Sequence, residues 1–521
     1  MRTFRHWYAF FTISCFMALA LPAFGQNADT GQSLADVARK LRKDTSDEVK
    51  MTEADTNRLF KSVDTIFAFA AEDSGMPKHA VVKRRMVGKA DVEKYVQGAL
   101  AKEEYTQRFV QEEMSMKKLG FLPREFNLKE FLVKSTGQEI AGYYDNRTKT
   151  ISLLNWVPAD RQEPILAHEL THALQDQNYD LTKWMKGAQK AQGGADDESA
   201  VARKAIVEGQ AMVVYVDYML KPIGRTLKDT PDLLYSMEDP AVKAVTDSTL
   251  MHESPMVMRE AGAFAYKEGL IFEGELLRKG GKEMAFTGVF ARPPQNSHEV
   301  LHPDTYINGE KLAAVRIPDM KNVLNNQYDV YDSGSIGELD VRTLLKQYGE
   351  RKIADDLSSA WQGGTYVLYR RKAESDTQAS VSTADLTLLY VSRWKSPQAA
   401  ERFATFYAGA VSQRYHSASI EQAAACTGSS CPVSSAQVST EEGPVIVEHW
   451  NDNTVIVSES FDAPTAGKLR TAIRSGAGAA QAENLPQEEI GLRLFEIPAF
   501  QAFAEKVGES LTDQIVQGAR R

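Results

Sequence analysis

His168-Glu169-Leu170-Thr171-His172 constrains this chain more than any other stretch. The pattern H-E-x-x-H lies in a run whose apolar residues, Leu166, Leu170, Ala173 and Leu174, recur at helical spacing. On a helix, residues four apart stand one turn above each other. Two imidazoles so placed can hold one Zn²⁺, and the Glu between them can reach a water that the ion activates. Nine His among 521 residues make a chance occurrence roughly a 1-in-100 event. The competing reading is a surface helix that happens to carry two His. Against it, His168, His172 and Asp176 fall on a face away from the apolar stripe, so one side suits a core and another suits chemistry. Pro164 suits the first turn of this helix.

Catalytic zinc usually has three protein ligands and an open fourth position. The extended pattern H-E-x-x-H-x-x-G-x-x-H is absent, because Gln175 and Asn178 stand where Gly and His are needed. A carboxylate is the remaining common third ligand. Glu208, on a later helical pattern over 199–220, is the first candidate. Its neighbours Gly209 and Ala211 are small enough to let two helices meet around a shared ion. Asp196, Asp197 and Glu198 stand next in line, and an exposed helix Glu is the alternative. Glu169 is the expected general base. Asp176 would orient His172, or sit as a plain surface acid or in a salt bridge to an Arg. The developing oxyanion also needs a donor. His302 and Tyr306 are the candidates, with His298 behind them, in the Pro-bounded segment 293–306.

The first residues read as an export signal. Arg2, Arg5 and His6 precede an apolar run over 7–21, Pro22 breaks it, and Ala23-Phe24-Gly25 places the cut before Gln26. The alternative is an uncleaved anchor, for which the run is short. Thr12-Ile13-Ser14 before Cys15 lacks the Leu of a lipid-attachment site. The mature chain is expected in the periplasm or the medium, with no stable membrane insertion. Cys426 and Cys431 then remain, and an exported pair suggests a disulfide. The net charge is −9 and no basic cluster stands out, which argues against nucleic acid as a partner.

The expected fold class is α+β. Residues 26–77 read as amphipathic helix: a prefix, a pro-segment or a packing arm. The domain 78–330 should be mostly helical with a small sheet. It holds a strand at 81–87, a helix over 90–118, and a hairpin of 139–144 and 149–154 about a turn at 145–148. Residues 182–199 read as loop and 256–279 as helix. The hairpin edge can accept an extended peptide as an added strand, with Tyr143 and Tyr144 beside it. From 331 to 474 the order ββαββα, after two short helical patterns, suggests a smaller α+β domain. A linker and a last helix fill 475–521.

The run from His168 to Gln177 resembles a group of exported bacterial metallopeptidases of the gluzincin type. Three further stretches are similar to features of that group: Gly142-Tyr143-Tyr144-Asp145, Glu208-Gly209-Gln210-Ala211 and His302-Pro303-Asp304-Thr305-Tyr306. The likeness extends over about 80–330. It implies a zincin-like catalytic domain, one Zn²⁺, and hydrolysis of peptide bonds in a peptide or protein substrate that it does not name. Two other classes stay open: a non-catalytic envelope binding or assembly protein on the same scaffold, and a zinc amidase acting on cell-wall material.

Overall fold

An apolar face at helical spacing needs a partner, and helix α1 (Glu53–Ser74) finds one in the motif helix α3 (Ala159–Tyr179). Thr52 caps the start of α1 through the Asp55 amide, and Gly75, at φ 76°, ends it. Leu59, Val63, Ile66, Phe67 and Ala70 are buried. The second half of 26–77 is therefore built into the core. The computed structural model describes residues 11–14, 51–88, 91, 103–131, 142–187, 197–236, 254–312, 314–349, 351–372, 381–421 and 431–475. Residues 26–50, Cys426 of the expected disulfide, and 476–521 lie outside the described residues.

A four-stranded sheet flanks α3 in the order β1 (Phe11–Ser14), β3 (Gly142–Asp145), β4 (Thr150–Leu154), β2 (Lys83–Val87). The expected hairpin is β3–β4, and Lys149 takes the left-handed turn position at φ 54°. Strand β2 runs parallel to β4, and β1 runs antiparallel to the outer edge of β3. Every residue of β4 is buried. Of the expected leader, only β1 is among the described residues.

Helix α3 differs from the two-sided helix the pattern implied. It begins at Ala159, so Pro164 lies inside it, and Ile165 through Asp176 are all buried. Its chemical face is turned inward because other helices cover it. The first is α5 (Asp197–Leu220), which follows the short α4 (Leu181–Lys186). The start of the expected 182–199 loop is thus helical. Beyond α5 come α6 (Met256–Ala263), a π-helical turn at Phe264–Glu268, and α7 (Gly269–Lys282). The Pro-bounded segment is two short helices, α8 (Ser297–Leu301) and α9 (Pro303–Asn308).

The C-terminal region is a seven-stranded antiparallel sheet. Its order is β5 (Tyr328–Ser335), β6 (Trp361–Arg371), β7 (Leu386–Trp394), β11 (Thr454–Glu459), β10 (Gly443–His449), β9 (Ser434–Thr440), β8 (Ala418–Glu421). Strands β5, β8 and β9 were not expected. The central strands are buried on both faces. Tyr366, Leu368, Leu388 and Tyr390 join the main core, while Val367, Tyr369, Leu389 and Val391 join a second cluster with Phe461 and Leu469. Helices α10 (Glu338–Tyr348), α11 (Arg351–Ser358) and α12 (Pro397–Arg414) lie on the first side, and α13 (Ala463–Arg474) on the other. The molecule is α+β. Helix α2 (Glu103–Leu119) is tied to the second sheet by Lys118, whose ammonium meets Glu442 at 2.9 Å. No helix among the described residues is long and apolar enough to cross a membrane.

Candidate metal centre

One helical turn separates His168 from His172, and their Nε2 atoms stand 3.0 Å apart. Glu208 reaches in from α5, with Oε2 at 3.2 Å from His168 Nε2 and 3.5 Å from His172 Nε2. Three ligand atoms about 2.0–2.1 Å from a tetrahedral Zn²⁺ stand roughly 3.3–3.4 Å from one another. The observed triangle has these dimensions and this donor chemistry, so the residues fit the ion. All three side chains are buried.

Neighbouring groups fix how the triangle faces inward. Gln175 Oε1 lies 2.8 Å from His172 Nδ1. Lys204, one turn before Glu208, holds its Oε1 at 2.5 Å and leaves Oε2 for the imidazoles. Burial above all pushes His168 down to about 4, which keeps its ring neutral. Burial opposes a charge on Glu208, but Lys204 and the two imidazoles outweigh it and hold the carboxyl well below its usual range. Burial also pulls His172 down, yet Glu208 wins and the net direction is up. Glu208 is therefore held as a carboxylate beside the two imidazoles.

Glu169, also fully buried, offers a carboxylate oxygen within 4.8 Å of both imidazoles. Its Oε2 accepts the Tyr144 amide at 2.8 Å, which ties the carboxylate to β3. Two carboxylates thus meet the imidazoles from different sides, Glu208 from a second helix and Glu169 from the motif itself.

Other expected residues are placed differently. Asp176 does not orient His172; it accepts the Tyr144 hydroxyl at 2.9 Å and the Lys149 ammonium at 2.5 Å. Glu198 holds Ser297 through the amide at 2.9 Å and the hydroxyl at 2.7 Å. Asp196 and the Asp197 side chain lie outside the described residues. Tyr306 donates to the Arg292 carbonyl at 2.6 Å and packs edge-on to Phe272. His302 turns to Glu338, at 3.0 Å. Neither bonds to the His168–His172–Glu208 triangle among the described residues. The phenol beside the triangle is Tyr266, whose ring stacks on His168 at 6.1 Å and 18°. It lies on the π-helical turn, a distortion frequent at functional sites.

Gly209 also acts otherwise than expected. A Cβ there would lie 2.3 Å from the Gly269 carbonyl, so it admits the start of α7 rather than α3. The signals that sequence reading passed over were local. Gln175 is three residues after His172, and Lys204 four before Glu208, each on the same helix turn as its partner. Tyr266 carried none.

Residues 326–472, well under half of the chain, match the family described as a domain of unknown function (DUF8575). Neither the comparison with curated proteins nor that with solved structures gave a match.

Proposed function

We propose that this chain is an exported zinc peptidase of the gluzincin kind, hydrolysing peptide bonds in peptide or protein substrates. The observation that carries the reading is the buried donor triangle of His168, His172 and Glu208 with Glu169 beside it. Zn²⁺ held there would polarise the scissile carbonyl and lower the pKa of a water to about 7. Glu169 then takes a proton from the attacking water and passes it to the leaving amine. The Tyr144 amide on its Oε2 keeps the carboxylate in place for both transfers. Tyr266, rather than His302 or Tyr306, is the group best placed by its contact with His168 to donate to the oxyanion.

A substrate has a natural seat. The outer edge of β3 carries Phe11–Ser14 as an antiparallel strand, from Phe11 opposite Asp145 to Ser14 opposite Gly142. Removal of the leader would open this edge to an extended peptide. Because Tyr144 on β3 bonds Glu169, a peptide added there lies against the element that holds the base.

The test uses the mature zinc-loaded chain and a broad peptide library, with a Glu169→Gln variant beside it. The variant should retain zinc and lose turnover by about 10²–10⁴-fold. Equal cleavage by both proteins would remove Glu169 from the mechanism. A zinc-loaded chain that cleaves nothing would overturn the peptidase reading.

A further inference from the structure

We infer that His298, His302 and Glu338 form a second metal site, which clasps the C-terminal sheet region onto the helical region. The two His lie four apart, at the start of α8 and just beyond its end, with rings 4.5 Å apart. Glu338 opens α10. Its Oε2 is 2.5 Å from His298 Nδ1 and 3.1 Å from His302 Nε2, and its Oε1 is 3.0 Å from His302 Nε2. The three residues each offer a donor atom, and these atoms lie within 4.8 Å of one another. Two imidazole nitrogens and a carboxylate suit a divalent transition ion such as Zn²⁺.

The surroundings are those of a prepared site. Ser297, next to His298, gives its amide and hydroxyl to Glu198 and accepts the Leu339 amide at 3.2 Å. That one side chain fixes α8 to the first turn of α10 and to the start of α5. Gly337 packs against this arrangement, and a Cβ there would overlap the Glu198 carboxylate group at 2.0 Å and push it from Ser297. Such support orients ligands that are themselves few. His298 and Glu338 are buried, whereas the His302 side chain is 35% exposed. The cluster therefore reaches solvent on the His302 side.

This site shares no ligand with the first. Glu198 and Glu208 are ten residues apart on α5, which separates them by roughly 15 Å along the helix. Its ligands also span a junction. His298 and His302 precede the region that matches the domain of unknown function, and Glu338 lies within it. An ion bound here therefore links the two parts, and its loss should loosen them.

The experiment measures zinc per chain after dialysis against buffered Zn²⁺, for the whole mature protein and for His302→Gln, Glu338→Gln and Glu208→Ala. The Gln variants preserve hydrogen bonding across the cluster while removing a ligand, and circular dichroism checks that they fold. Wild type should hold two equivalents and each variant one. In Glu208→Ala, zinc should still raise the melting temperature; in Glu208→Ala/Glu338→Gln it should not. Wild-type zinc content in both His302→Gln and Glu338→Gln would overturn the second site. Loss of one equivalent in those two, with none lost in Glu208→Ala, would keep it and defeat the peptidase centre instead.

Discussion

His172 Nδ1 donates to Gln175 Oε1 at 2.8 Å, and this bond decides which nitrogen faces the metal triangle. The amide nitrogen of Gln175 already gives its two hydrogens to Val207 O and Gln210 Oε1, each at 2.9 Å. Gln210 in turn donates to Ala285 O at 2.6 Å, so its own amide cannot flip. Gln175 therefore has only its oxygen left for His172, which must carry its proton on Nδ1. The Nε2 lone pair is thereby aimed into the triangle with His168 and Glu208. Removing the acceptor in Gln175→Leu should weaken zinc about 10–100-fold, measured by competition with a chelating dye. Unchanged affinity would show that another group holds the ring.

If the proposed peptidase activity is found, Tyr266 and Tyr306 are separable by steady-state kinetics on any peptide that is cleaved. Tyr266→Phe should lower kcat by about 10²–10³ with KM little changed, as expected for a lost oxyanion donor. Tyr306→Phe loses a bond to the Arg292 carbonyl instead and should act mainly on stability. The reverse ranking of the two kcat values would restore Tyr306 to the oxyanion role.

Gly209→Ala sets helix propensity against packing. An exposed Gly→Ala change in a helix gains roughly 1 kcal/mol. Here the methyl meets a backbone carbonyl that cannot move aside, and overpacking costs about 1–3 kcal/mol. Packing should win, with a net loss of stability in urea denaturation. Glu208, the adjacent residue, should also hold zinc less tightly. A stabilised variant would mean that α5 and α7 can part freely.

Asp73 and Asp217 meet where α1 approaches α5. Burial pushes Asp73 up to about 6; burial, and then the Asp73 charge, push Asp217 up to about 8. Unfolded, both return to about 3.9. The native state thus binds protons more tightly, and its advantage is complete below about pH 4 and lost as pH climbs through 6 and 8. Asp217→Asn removes most of this slope. The melting temperature of the variant should gain on wild type steadily between about pH 5 and 8. A gap that does not change with pH would refute a shared proton.

Deletion of 26–77 tests whether this segment restrains activity or builds the fold. Its apolar face on α3 contributes about 1.5–3 kcal/mol for each large buried side chain. The truncated chain should lose cooperative unfolding and zinc together. A folded and more active product would make the segment an inhibitor.

The motif, its helix and the hairpin before it were legible because each depends on spacing within a few residues. His168 and His172 are neighbours on any helix, and Asp145 to Lys149 must turn. The sheet register of the second region was less legible. Strands β5, β8 and β9 alternate weakly and draw their identity from the strands they pair with. Helix α3 read as two-sided since a pattern cannot report what will cover a polar face. The pairing of His302 with Glu338 was hidden for the same reason, because Glu338 lies 36 residues away on another element.

Sequence alone determined that two imidazoles and a glutamate share one helix, and that a distant carboxylate was wanted to complete them. Tertiary structure decided that Glu208 is the carboxylate that meets both imidazoles, that Gln175 and Lys204 hold His172 and Glu208 in place, and that Tyr266 rather than Tyr306 stands beside His168. The reason is physical. Helix geometry is set within one turn of chain, whereas contacts between helices depend on how every buried side chain packs at once.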